Sequence, residues 1–85
     1  MKISFTPIAY DEFTRWISLD KAKIKKISKL LKSIEREGPM KGEGKPERLK
    51  YIDGYSRHID DGNRLVYQYQ QNEITVLSCS GHYQD

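Results

Sequence analysis

The spacing of hydrophobic residues changes twice along the chain. Lys2, Ile3, Ser4 and Phe5 alternate polar and apolar, the two-residue period of a short strand. Thr6-Pro7 then pairs an N-cap residue with a proline suited to the first helical turn. Phe13, Trp16 and Ile17 follow at three- and four-residue spacing, which predicts a helix over 7–18 with Phe13 and Trp16 in the core. Asp20 is a second N-cap candidate. Beyond it, Ile24, Ile27, Leu30, Leu31 and Ile34 form one apolar stripe in a lysine-rich segment, 21–37. Gly38-Pro39 ends that segment as a helix stop.

Residues 40–47 have two glycines, one proline and no period, and read as a mobile loop. From there the period is two. Leu49–Tyr51, Tyr55–Ile59, Leu65–Tyr69 and Ile74–Leu77 predict four strands, separated by turns at Asp53-Gly54, Asp61-Gly62 and Gln71-Asn72. A strand, a helical hairpin and a four-stranded antiparallel meander imply an α+β fold, with the helices on one face of the sheet and the other face partly open. The partner of the first strand does not follow from the pattern.

The 85 residues are expected to form one domain, 1–85, with a small core. No apolar run approaches the roughly 20 residues of a membrane span, and no signal-peptide pattern opens the chain. Cys79 is the single cysteine, so an internal disulfide is excluded. The expectation is a soluble cytoplasmic protein without metal or cofactor. Net charge is +3, but residues 21–50 carry eleven Lys and Arg against four acids, whereas 51–85 carry two against five. Such a basic block suits a polyanionic partner or a solvated helix face.

Candidate chemistry concentrates in the sheet half. Glu47 follows the glycine-rich loop, Arg57 and Arg64 lie in neighbouring strands, and His82-Tyr83 follow the last strand. A carboxylate, an imidazole, guanidiniums and a phenol on one face would suffice to cleave RNA. A base takes the proton of a 2′-hydroxyl, cations stabilise the phosphate, and an acid protonates the leaving 5′-oxygen. The nucleophile belongs to the substrate, so no metal is required. Each residue also has an ordinary structural explanation: Arg64 pairing with Asp60 or Asp61, Arg57 in a cross-strand ion pair, Glu47 and His82 merely solvated. His58 should point away from Arg57 and so lie outside the site. Cys79 reads as a small buried residue rather than a nucleophile.

Taken together, Gly44-Lys45-Pro46-Glu47-Arg48-Leu49, Tyr55-Ser56-Arg57-His58-Ile59, Asn63-Arg64-Leu65-Val66-Tyr67 and His82-Tyr83 resemble the Txe/YoeB toxins of bacterial toxin–antitoxin systems, in the RelE superfamily. That family shows a G-K-P-E-x-L motif, a W/Y-S-R-x-I strand, an H-R-L-V-Y strand and a terminal H-Y. The resemblance spans residues 1–83. It implies a microbial-RNase-like fold, an endoribonuclease cutting mRNA in the ribosomal A site, a YefM-like antitoxin that neutralises it, and a tendency to dimerise. It further implies Glu47 as general base, His82 as general acid, Arg64 as charge stabiliser and Tyr83 as a substrate-orienting residue. Lys45, Lys50 and Arg57 would hold phosphates. The chain departs from the pattern at Asn63, where many members have His, and at His58, where many have a second Arg. Ser80-Gly81 replaces a basic–aromatic pair, and Gln84-Asp85 extends the end. These changes remove positive charge near the site, and Gly81 would hold His82 loosely. The alternatives are a non-catalytic ribosome- or antitoxin-binding member of the same fold, and an RNase that needs no ribosome.

Overall fold

The computed structural model describes residues 1–82. After strand β1 (Lys2–Phe5), Thr6 caps helix α1 (Pro7–Leu19) by accepting the amide of Ala9 at 3.1 Å, with Pro7 in the first turn. Asp20 alone separates α1 from helix α2 (Lys21–Glu37). Its amide closes the first helix on Trp16 O, and its carboxylate caps the second at the amide of Ala22, 3.0 Å away. A single residue that ends one helix and starts the next turns the pair sharply into a hairpin. Gly38 closes α2 with φ +90°.

Four further strands follow: β2 (Glu47–Arg48), β3 (Tyr55–Asp60), β4 (Asn63–Gln70) and β5 (Glu73–Ser78). The predicted strand at Leu49–Tyr51 is displaced. The chain pairs at Glu47–Arg48 instead, and Leu49 already donates its amide to Gly54 O in the turn. Sheet order is β1-β5-β4-β3-β2, antiparallel except for β1, which runs parallel to β5 with Ile3 opposite Ile74. Gln71 and Asn72 both take positive φ, as a two-residue hairpin turn requires.

The helices cover one sheet face. Ile27, Leu30, Leu31 and Ile34 of α2 and Ala9 of α1 pack on Ile59, Leu65, Tyr67, Ile74 and Val76, with Phe13 and Trp16 partly buried against them. Facing residues in β3 and β4 are paired Tyr55 with Tyr67 and Arg57 with Leu65, which puts Arg57 on the helix side. The expectation that Arg57 holds substrate phosphate is therefore corrected. Its side chain is fully buried, and the guanidinium is spent on protein acceptors. Nε donates to Tyr67 Oη at 2.9 Å. Nη1 donates to Ser33 Oγ and Glu43 O, and Nη2 to Gly38 O and Lys41 O. The same bonds explain why segment 38–46 is not a free loop. Its carbonyls converge on one buried cation, Gly44 O accepts the amide of His58, and Lys26 pairs with Glu43 at 2.7 Å. Gly44, at φ +93°, approaches so closely that a Cβ would stand 2.7 Å from Leu30 Cδ2.

Candidate active site

Pinning segment 38–46 delivers Glu47 to the sheet edge at a fixed place. The last residues before it turn sharply: Lys45 is exposed and left-handed, with φ 52°, and Pro46 follows. Glu47 then pairs with Ser56 of β3, Ser56 with Val66 of β4, and His58 with Arg64. Because alternate residues share a face, Glu47, Ser56, His58 and Arg64 all lie on the face turned away from the helices.

Arg64 reaches across β3. Its Nη1 donates to Ser56 Oγ at 3.1 Å and stands 3.7 Å from Glu47 Oε2. The side chain of Arg64 is 23% exposed and that of Glu47 58%, so the guanidinium is braced while the carboxylate projects into solvent. Arg64 makes no pair with Asp60, whose carboxylate belongs to Lys23 at 2.6 Å and to Asn63. Those contacts, with the amide of Gly62, hold the Asp60 carboxyl down at about 2.

His82 is exposed and follows a tightly held strap. Gly81 O accepts the backbone amide of Arg64 at 3.0 Å, and Gly81 N donates to Asn63 Oδ1 at 2.8 Å. Gly81 has φ +75°, a conformation that suits glycine. Gly81, expected to leave His82 loosely held, is itself pinned, since both of its backbone polar groups are engaged. Asn63 serves two partners at once, donating to Asp60 and accepting from Gly81. Tyr83 lies outside the described residues.

Of the three expected phosphate ligands, Lys45 and Lys50 are exposed near the β2 edge, and Arg57 is on the far side of the sheet. His58, expected outside the site, lies on its face instead. The signal is present in the sequence: Arg57 sits two residues from both Tyr55 and Ile59, so it shares their apolar face, and His58 takes the open one. Cys79 is buried, and burial with the nearby Glu12 carboxylate pushes its thiol up to about 12, which excludes a thiolate nucleophile at neutral pH. A carboxylate acceptor, a braced guanidinium and an imidazole beside them can together move a proton and stabilise an anion. A second imidazole follows the strap.

On the other side of the molecule, Lys25, Lys29, Lys32 and Arg36 are exposed at the spacing of one helical face of α2. No helix among the described residues is long and apolar enough to cross a membrane.

Residues 5–83 match the family described as YoeB-like toxin of bacterial type II toxin–antitoxin systems. Toxin YoeB of Mycobacterium bovis is 40% identical over 83 residues, covering 95% of this chain and 96% of that protein. In a heterotetrameric YoeB–YefM toxin–antitoxin complex from Staphylococcus aureus, the matching chain superposes with a TM-score of 0.92 at 44% identity, over 98% of each chain. The structure of a YoeB dimer from the same organism gives 0.93 at 44% identity, again over 98% of each.

Proposed function

The chain belongs to the family of YoeB-like toxins of bacterial type II toxin–antitoxin systems, and on that premise we propose that it is a ribosome-dependent endoribonuclease acting on mRNA in the A site. Glu47 removes the proton of the 2′-hydroxyl, the oxygen attacks the adjacent phosphorus, and the P–O5′ bond breaks. The products are a 2′,3′-cyclic phosphate and a 5′-hydroxyl end. Arg64 stabilises charge on the phosphate, and His82 protonates the departing 5′-oxygen. Tyr83 orients the substrate. Lys45 and Lys50 hold flanking phosphates, and His58 takes the place that the motif pattern gives to Arg57.

The observation that carries this reading is the convergence of Glu47 and Arg64 on the open face, with Arg64 braced by Ser56. Glu47 is exposed, as a base that must meet a macromolecular substrate has to be. The basic face of α2 adds an electrostatic reason for docking on ribosomal RNA, with affinity falling as salt rises.

The Staphylococcus relatives are solved as a YoeB–YefM complex and as a dimer. By likeness, this chain is neutralised in the cytoplasm by a YefM-like antitoxin and self-associates. An acidic segment that folds on binding suits the open face and Arg64.

Primer extension on a defined mRNA, with and without ribosomes, tests the reading. Cuts at A-site codons that need ribosomes and vanish in His82→Gln are expected. Ribosome binding without cuts would make the chain a non-catalytic binding module. Equal cutting of naked RNA would make it a ribosome-independent nuclease.

A further inference from the structure

The chain leaves the sheet after Ser78, and the next residue is captured by α1. Glu12 Oε1 accepts the amide of Cys79 at 2.8 Å, and Trp16 Nε1 donates to the carbonyl of the same residue at 2.9 Å. The Cys79 thiol lies 3.6 Å from Ala9 O, one turn earlier on that helix face. Ala9, Glu12 and Trp16 therefore grip one residue from a single face. Two residues later the strap is caught again, by Asn63 Oδ1 on Gly81 N and by the amide of Arg64 on Gly81 O. Between the anchors, Ser80 is exposed and borders an open cleft lined by Glu12, Arg15, Trp16 and Leu19. Packing does not fix Ser80, so the strap's course depends on its two ends: the buried, hydrogen-bonded Cys79 and the hydrogen-bonded Gly81. The residue that leaves the second anchor is His82.

We propose that Glu12 and Trp16 are positioning residues for His82, acting through the Cys79 backbone they clamp. The proposal rests on the preceding reading of His82 as general acid. Glu12 lies on a helix remote in sequence from every residue assigned to the chemistry, and its bond to a backbone N–H is charge-assisted and therefore short and directional. A shift of about an ångström in a proton donor costs a large part of its rate effect.

The test is single-turnover cleavage of ribosome-bound mRNA carrying either the normal linkage or sulfur in place of the bridging 5′-oxygen. A thiolate leaves without protonation, so defects confined to the acid step disappear on the sulfur substrate. Glu12→Ala and Trp16→Phe are expected to slow cleavage of the normal linkage by about 10- to 100-fold, with ribosome affinity unchanged. Glu12→Gln keeps an acceptor oxygen and should restore the rate. On the sulfur substrate, Glu12→Ala and His82→Gln should match the wild type, whereas Glu47→Gln stays slow. Wild-type rates for Glu12→Ala on the normal linkage, or a deficit equally large on both linkages, would overturn the proposal.

Amide hydrogen exchange in the free protein reads the strap without catalysis. Exchange at Gly81 should be faster in Glu12→Ala and wild-type-like in Glu12→Gln. Equal exchange in all three overturns the clamp itself. Faster exchange in Glu12→Ala, with a wild type that cuts neither substrate, upholds the clamp and overturns the role of His82.

Discussion

Arg64 and Glu47 sit 3.7 Å apart although a whole strand lies between theirs. The guanidinium spans β3 and rests on Ser56 on the way. With Glu47 projecting into solvent, the ion pair itself contributes about 0–1 kcal/mol to stability. Glu47→Gln should therefore leave the urea midpoint nearly unchanged, and Arg64→Ala, which also strips the buried Ser56 hydroxyl of its partner, should lower it modestly; both should lower ribosome-dependent cleavage by about 10²- to 10⁴-fold. Parallel denaturation curves and primer extension check both halves. Either variant cutting like the wild type would remove that residue from the mechanism.

Arg57 is expected to act on stability rather than on RNA. Replacing it with Ala strands several carbonyls of segment 38–46, and replacing it with Lys keeps the charge but loses the fork that serves five bonds. Both should cost at least about 2 kcal/mol of unfolding free energy, since each buried unsatisfied group costs about 1–3 kcal/mol. Equilibrium denaturation measures this. An Arg57→Lys protein as stable as the wild type would show that the fork is dispensable.

Acid should weaken the turn between β3 and β4. Asp60 falls from 3.8 to about 2, chiefly through its bond to Lys23. A lowered carboxyl pKa stabilises the fold fully above about pH 4, and that contribution fades as pH falls toward about 2. Asp60→Asn should flatten this part of the stability–pH curve. The check is thermal denaturation at several values between pH 5 and 2; curves of equal slope would deny Asp60 the role.

Cys79 should resist modification in the native protein. Its thiol is buried, hydrogen-bonded toward Ala9 O and pushed up to about 12, so thiolate is negligible at neutral pH. Labelling with a thiol reagent should follow the unfolding equilibrium and accelerate with urea. Rapid labelling without denaturant would show that the strap opens locally.

Reversing charge at Lys25, Lys29 and Lys32 should weaken ribosome association and flatten its salt dependence, because each phosphate that is no longer neutralised reduces the slope by roughly one. Sedimentation with ribosomes across a salt series measures it. An unchanged slope would leave that face of α2 as ordinary solvated surface.

Both helices and the meander are legible in the sequence because their signals are local. Thr6-Pro7, Asp20 and Gly38 act within a turn of where they stand, and Asn72 needs only its own φ. What the sequence does not reveal depends on bonds between distant residues. Arg57 reads as a surface cation because guanidiniums are rarely buried, and the carbonyls gathered from 38–43, with the Ser33 and Tyr67 hydroxyls, make its burial tolerable. The displacement of β2 has a similar cause. Leu49 suits a strand, but its amide is claimed by Gly54 O, which leaves only Glu47 and Arg48 to pair. Glu47 and Arg64 stand out by their motifs, yet the Ser56 brace and the Glu12–Trp16 clamp join elements that no motif connects.

The pairing of β1 with β5 joins the start of the described chain to its far end, with Thr6 Oγ1 donating to Leu77 O across 71 positions. Closing so long a loop costs more entropy than closing the β3–β4 and β4–β5 hairpins. For a chain emerging from a ribosome, β1 waits until β5 has been made. Glu12 and Arg64 likewise have no Cys79 or Gly81 to hold until those residues appear. A nascent chain that has already exposed Glu47 therefore still lacks the anchored strap that leads to His82.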